Sequence, residues 1–186
     1  SNPASAHVSA GGVARNVCET IVRLGARAGL ATLVGDDDAG RRIVADLTAL
    51  GADVSAIRTV VGARTAEYVA VLDADGTLAT GLADMAIFDL FDLSDFDRTA
   101  PLRAEAGWVF ADCNLPAPVL AALIGAAVDA PFRLALDPVS VTKAARLPAR
   151  LGGVDLMILN RDEATALTDA EDPDVAIDRL QGRGVG

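Results

Sequence analysis

Five short stretches hold the residues best suited to chemistry. Four close apolar runs: Gly35-Asp36, Asp112-Cys113-Asn114, Asp137-Pro138-Val139-Ser140 and Asn160-Arg161-Asp162-Glu163. The fifth, Gly11-Gly12-Val13-Ala14-Arg15-Asn16, opens a helical pattern on two glycines and places an asparagine one turn in. A helix interior disfavours Asn, whose side chain competes for backbone hydrogen bonds, so Asn16 serves the structure or a ligand. Each strand-end residue also has a plainer reading. Asp36 and Asn160 fit helix N-caps. Asp112 and Asp137 fit turns. Asn160 with Glu163 fits a capping box with Asn in place of Ser or Thr.

Other chemistries are poorly supplied. His7 is the one histidine, which disfavours a histidine-rich metal site and a Ser-His-Asp triad. No GxGxxG or GxxxxGK[ST] pattern occurs, so a Rossmann dinucleotide site and a P-loop are disfavoured. Neither "GADVSA" nor "DADGT" matches a calcium loop. Cys18 and Cys113 lie in apolar settings without a CxxC partner, and read as buried free thiols of a reducing compartment. The net charge is −10, with no Lys/Arg cluster. Nucleic acid is therefore not an expected partner, whereas small neutral or phosphorylated ligands are. No apolar run is long enough for a membrane span. The stretch "SNPASAHVSA" lacks the pattern of a signal peptide, and a cytoplasmic location is expected.

The elements that must position these residues follow from periodicity. Val13, Val17, Ile21 and Leu24 form one helical stripe. A strand over 30–35 precedes a helix over 37–52, with Ile43, Leu47 and Leu50 on one face and Gly51 as its stop. A short strand over 55–61 comes next. Two strand-like runs over 65–83 flank Asp75-Gly76, the signal of a two-residue hairpin. This hairpin breaks the α/β rhythm and should lie outside the main sheet. The rhythm resumes with strands over 108–112, 132–137 and 154–160, and helices after each, the last near 175–180. Such alternation predicts an α/β fold with a mostly parallel sheet covered on both faces. Ligands of open parallel sheets bind beyond the C-terminal strand ends, where the polar stretches fall. Trp108 is expected in the core. Met85, Ile87 and Phe88 should pack at the hairpin junction. Both ends of the sequence look cut, which suggests part of a larger domain.

The order of these motifs resembles the PfkB (ribokinase-like) carbohydrate kinases. Gly11-Gly12, Asn16, Gly25 and Gly35 resemble the family's first signature. "LVGDDDAGRRIVADLTALGADVSAI" resembles its next segment, and "LNRDEA" its Asn-x-x-Glu motif. Cys18 departs from the usual Ser, Thr or Ala. Within the family, "SNPASAH", "ADMAIFD", "DCNL" and "DPVSVTKA" look like the pseudouridine kinase branch.

That resemblance implies a three-layer α/β/α ribokinase-like fold, here a partial domain over 1–186, with a small β lid near 1–10 and 64–84. It implies ATP-dependent phosphorylation of the 5′-hydroxyl of pseudouridine, or of another sugar or nucleoside. Gly11, Gly12 and Asn16 would contact the sugar, and Asp112, Asn114 and Asp137 would complete the substrate site. Thr65, Tyr68 and Asp84 would belong to the lid. Tyr68 would close over a base or lie at a surface or interface. Asn160 and Glu163 would act near the ATP phosphates and Mg²⁺, Glu163 through a metal-bound water. Lys143 would meet a phosphate or the nucleobase; an isolated lysine is otherwise simply solvated. A monovalent cation and a homodimer through the lid are further implications. The family's Gly-Ala-Gly-Asp segment is not among the 186 residues. Its catalytic Asp is expected beyond Gly186, and no acid of this chain is put in its place. The 186 residues are accordingly expected to be inactive alone, and a non-catalytic remnant that binds ligand or dimerises is the rival reading.

Overall fold

The computed structural model describes residues 5–186. Residues 1–4, part of the first expected lid segment, lie outside the described residues. The chain opens with helix α1 (Val13–Arg23), strand β1 (Thr32–Gly35), helix α2 (Asp38–Leu50) and strand β2 (Ile57–Val60). A hairpin follows, β3 (Glu67–Leu72) and β4 (Leu78–Asp84). A 3₁₀ turn (Ala86–Leu90) and helices α3 (Leu93–Arg98) and α4 (Ala100–Glu105) lead to β5 (Trp108–Asp112). Then come α5 (Ala117–Ala127), β6 (Arg133–Asp137), α6 (Val141–Ala144), β7 (Leu156–Met157), α7 (Arg161–Thr168) and α8 (Pro173–Gly182).

The strands form two parallel pieces, β1–β2 and β5–β6–β7, while β3–β4 stands apart as an antiparallel ribbon. The expected parallel α/β/α architecture and the separate hairpin are both present. Helices cover the two faces. Cys18 of α1 and Leu47 of α2 pack with Leu30 and Ala52 on one side. Val119 of α5, Ile87 and Phe91 meet Leu33 of β1 on the other. The largest cluster joins Leu120, Leu123 and Ile124 of α5 to Leu134 and Leu136 of β6 and Leu180 of α8. One edge of β1 and one edge of β5 carry no strand partner among the described residues, and a groove lies between them, lined by both.

Local chemistry explains the element ends. Asp37 caps α2 and Gly51, at φ 88°, closes it. Asn160 and Glu163 form the reciprocal capping box of α7. Asp92 and Asp95 do the same for α3.

The structure departs from the sequence pattern at several places, and the strand expected over 154–160 is reduced to Leu156–Met157. Asp37, not Asp36, is the N-cap; Asp36 instead accepts the Gly62 amide at 3.0 Å. The buried face of α1 is Ala14, Cys18 and Val22, while Leu24 is 81 % exposed. The apolar stripe is thus turned by about one residue towards the groove, which Val13, Val17 and Ile21 line. The hairpin loop has three residues, not two. The Asp73 amide donates to the Thr77 carbonyl, the Gly76 amide donates to the Asp73 carbonyl, and Gly76 takes φ 86°. Trp108 is half exposed rather than in the core, because its strand edge faces the groove; Arg133 lies over its ring at 5.5 Å. Ile87 and Phe88 do pack at the hairpin root.

Candidate active site

The turn after β1 is tied to the root of the hairpin by one carboxylate and one hydroxyl. Asp37 accepts the Gly40 amide at 2.8 Å, the Thr65 amide at 2.8 Å and the Thr65 hydroxyl at 2.6 Å. The same hydroxyl accepts the Gly35 amide at 2.9 Å, and Thr65 is buried. Thr65 is therefore the anchor from which the hairpin projects. Hydrogen bonds from Thr65, then from Gly40, hold the Asp37 carboxyl down at about 2. A depressed carboxyl contributes stability above its unfolded value near 3.8, lost as pH falls through its folded one. The Tm gap between wild type and Asp37→Asn should be constant above about pH 5 and close as pH falls to about 2. Thermal melts across that range check it; a gap that widens in acid would refute it.

A second set gathers at the ends of β5 and β6. Asp112 and Asp137 are register partners. Asp112 accepts the Asn114 amide at 2.9 Å, and Asp137 accepts the Val139 amide at 2.7 Å, so both shape turns. Asp112 does more, accepting the Ala14 amide of α1 at 3.2 Å. This contact brings the first turn of α1, and Asn16 with it, to the β5 end. Burial raises the Asp137 carboxyl, reinforced by the charges of Glu163 and Asp112. Cys113, fully buried among these acids, is pushed up to about 12, chiefly by desolvation, and is an inert thiol. Val139 takes φ 66°, an outlier for a β-branched residue that costs of order 1–3 kcal/mol. Strain of this kind clusters at functional sites.

Lys143 is not merely solvated: its ammonium donates to the Asn114 side-chain amide oxygen (Oδ1), and burial lowers its pKa. Sequence reading missed Arg146, which donates to the carbonyls of Asn114 at 2.7 Å and Leu115 at 3.3 Å and meets Asp89 at 3.3 Å. Its guanidinium staples the loop carrying Asn114 to the 3₁₀ turn after the hairpin. No local motif announced it, since the partners are mostly backbone atoms distant in sequence.

The groove spans about 2960 Å³, well beyond the ~300–1,000 Å³ of a small-molecule pocket. It is a trough, of which a ligand would fill a part. Gly11, Gly12, Asn16 and Thr65 line it, as do Tyr68, Asp112, Asn114 and Lys143. Asp84, Asp137, Asn160 and Glu163 do not. Asn160 and Glu163 are committed to capping, with the Glu163 carboxylate on the Asn160 amide at 3.0 Å. Gly186 is also not among the groove-lining residues. Its amide donates to the Val154 carbonyl at 2.9 Å, which holds the chain beside the segment leading into β7.

Tyr68, Ala70 and Ala83 share the hairpin face that looks into the groove. Gly81 lies beneath the Tyr68 ring, where a Cβ would collide with the phenolic oxygen. Among the described residues, no group of three or more His, Cys, Asp or Glu is placed to hold a metal ion. No helix among them is long and apolar enough to cross a membrane.

Comparison with known proteins gives the context. The model of the pfkB family carbohydrate kinases matches residues 1–185. A pseudouridine kinase of Escherichia coli K12 is 29 % identical over 168 residues, covering 90 % of this chain and 53 % of that protein. An uncharacterised sugar kinase of the same strain, YeiI, is 28 % identical over 190 residues, covering 100 % of this chain and 52 % of its own. The chain thus spans about half the length of the curated relatives it matches. A carbohydrate kinase structure from Agrobacterium tumefaciens superposes with a TM-score of 0.82 at 30 % identity, covering 100 % of this chain and 60 % of that one.

Proposed function

The chain belongs to the pfkB family of carbohydrate kinases, and on that premise we propose that its protein phosphorylates the 5′-hydroxyl of pseudouridine. The observation that carries the reading is the meeting of α1 and β5: the Ala14–Asp112 contact sets Gly11, Gly12 and Asn16 beside Asp112, Asn114 and Lys143 along one groove. Donors and acceptors of that mix suit a ribosyl group and a polar base, and a site built to pair hydroxyls rejects ligands without them. The similarity to a pseudouridine kinase supports the choice of base.

In the reaction, the 5′-oxygen bonds the transferred phosphorus as the bridging P–O bond of ATP breaks, and the hydroxyl proton passes to a base. None of the acids described above is assigned as that base, whose expected place in the sequence follows Gly186. ATP supplies the phosphoryl group, and Mg²⁺ neutralises its charge in such transfers. Among the described residues, no group of three or more His, Cys, Asp or Glu is placed to hold that ion. The roles left to this chain are to bind and orient the nucleoside and, through the hairpin, to exclude water. In this reading Asp137, Asn160 and Glu163, which do not line the groove, belong to the phosphate side.

The other hairpin face carries Val69, Val71 and Leu82, exposed at 44 %, 49 % and 59 %, of which Val69 also lines the groove. A ribbon apolar on both sides is marginal alone, which favours pairing with a second copy. A cytoplasmic location fits the two free thiols.

The test is ADP release by the protein expressed from its complete reading frame, with ATP, Mg²⁺ and a panel of pseudouridine, uridine, adenosine, ribose and fructose. Pseudouridine should lead in kcat/KM by about tenfold or more. Preference for ribose or fructose would move the assignment to another kinase of the family, and no turnover at all would favour the binding remnant.

A further inference from the structure

We infer that Arg15 is a positioning residue that fixes which face of the Asn16 amide meets the ligand. The inference rests on the kinase reading for the identity of that ligand, though its geometry stands alone. One guanidinium nitrogen of Arg15 donates to the Asn16 side-chain amide oxygen (Oδ1) at 2.9 Å and to the Ala10 backbone carbonyl at 3.4 Å. The other pairs with Glu19, which also accepts Arg23 at 2.7 Å. A single planar fork therefore holds both the peptide entering Gly11-Gly12 and the side chain of Asn16, while Glu19 holds the fork. Arg15 is largely buried, its side chain 14 % exposed, and its Nε has no hydrogen-bond partner. Leaving a buried donor unpaired costs about 1–3 kcal/mol, so the rotamer is set by the demands of the other two nitrogens.

The consequence is chemical. An amide whose oxygen is taken by a cation presents its NH₂ group to the groove, so Asn16 offers donors and the ligand atom opposite must accept. Asn114 repeats the pattern, with its oxygen on the Lys143 ammonium. Both asparagines of the groove thus face it as donors, a polarity suited to hydroxyl or carbonyl oxygens. Lysine at position 15 is a point charge without the fork and would not hold two acceptors at once.

Two readouts test this on the protein from its complete reading frame. In kinetics, Arg15→Ala should raise the KM for the preferred nucleoside about tenfold with kcat changed less than about twofold, and Arg15→Lys should restore little of it. In the Asn16→Ala background, Arg15→Ala should add nothing, because its effect runs through Asn16. In selectively asparagine-labelled protein, the Asn16 side-chain amide resonances, identified by their loss in Asn16→Asp, should move to unstructured positions in Arg15→Ala. Additive effects of the two substitutions, or unmoved Asn16 resonances, overturn the inference. Should the protein turn over no nucleoside or sugar, the kinase reading fails while the resonances still decide the role of Arg15.

Discussion

Gly35→Ala is expected to lower stability by about 3 kcal/mol, a Tm loss of roughly 6–12 °C for a chain of this size. A Cβ on Gly35 would stand 2.5 Å from the Ala63 carbonyl oxygen, 2.6 Å from the Thr65 nitrogen and 2.8 Å from the Arg64 carbonyl carbon. All three are backbone atoms, so no flexible side chain can swing aside. The segment 63–65 must retreat, and with it go the Thr65 hydroxyl on Gly35 and the Thr65 bonds to Asp37. Gly40 is packed from the other side, where a Cβ would collide with the Gly35 carbonyl oxygen. The end of β1, the first turn of α2 and the hairpin root are in backbone contact. Gly125→Ala is the control: that glycine is exposed on α5 with nothing within 4 Å of a Cβ, and alanine there should stabilise by up to about 1 kcal/mol. Calorimetry on both variants checks the pair; a Gly35→Ala loss below about 2 °C would mean that the anchor yields.

The second large effect is expected at Asp95. This carboxylate is 4 % exposed, and it receives Arg58 through two bonds of 2.6 Å and Arg98 at 3.3 Å. Its Oδ2 also accepts the Asp92 amide at 3.2 Å, closing the capping box of α3. Asp95→Ala removes the N3 half of the capping box, leaving the Asp92 cap in place, and strands the partly buried Arg58. Breaking one side of a buried pair costs about 3–5 kcal/mol; the access of Arg58 to water puts the expected total near the lower bound, about 3 kcal/mol. Replacing both partners, as Arg58→Met with Asp95→Leu, should recover much of the loss, since the penalty is chiefly the unpaired charge. Urea denaturation of the three variants measures it. A double variant as unstable as Asp95→Ala would show that the bridge between β2 and α3 itself supplies the stability.

How much of this was legible in the sequence varies with the range of the interaction. The strands over 108–112 and 132–137, the Gly51 stop and the Asn160–Glu163 box are written locally, in adjacent apolar residues or in caps three residues apart. The rotation of α1 was not legible. Val13, Val17 and Ile21 form the better apolar stripe, but the partner that selects the Ala14–Cys18–Val22 face is Leu47, on another helix. Asp36 and Asp37 are equally good caps on paper; Thr65, 28 residues on, decides between them. Helices α3 and α4 escaped because each spans six residues, too few to show a period. At the site, the reading named Asn16, Asp112 and Asn114, which line the groove, and also Asp84, Asp137, Asn160 and Glu163, which do not; Lys143, otherwise read as solvated, lines it, whereas Arg146 and the fork of Arg15 are visible only in coordinates. The family likeness supplied the order of motifs, and the structure supplied the Ala14–Asp112 contact that brings the first of them to the strand ends.

The unpartnered edges of β1 and β5 have a consequence of their own. Each is a rail of amide and carbonyl groups set for a neighbour running in the same direction, and the two rails flank a single trough walled by Val13, Val17, Trp108 and Phe110. Parallel strands are ordinarily shielded from such exposure. An extended apolar peptide would find backbone partners along either edge, and adhesion along that seam is the expected hazard of these 186 residues in isolation.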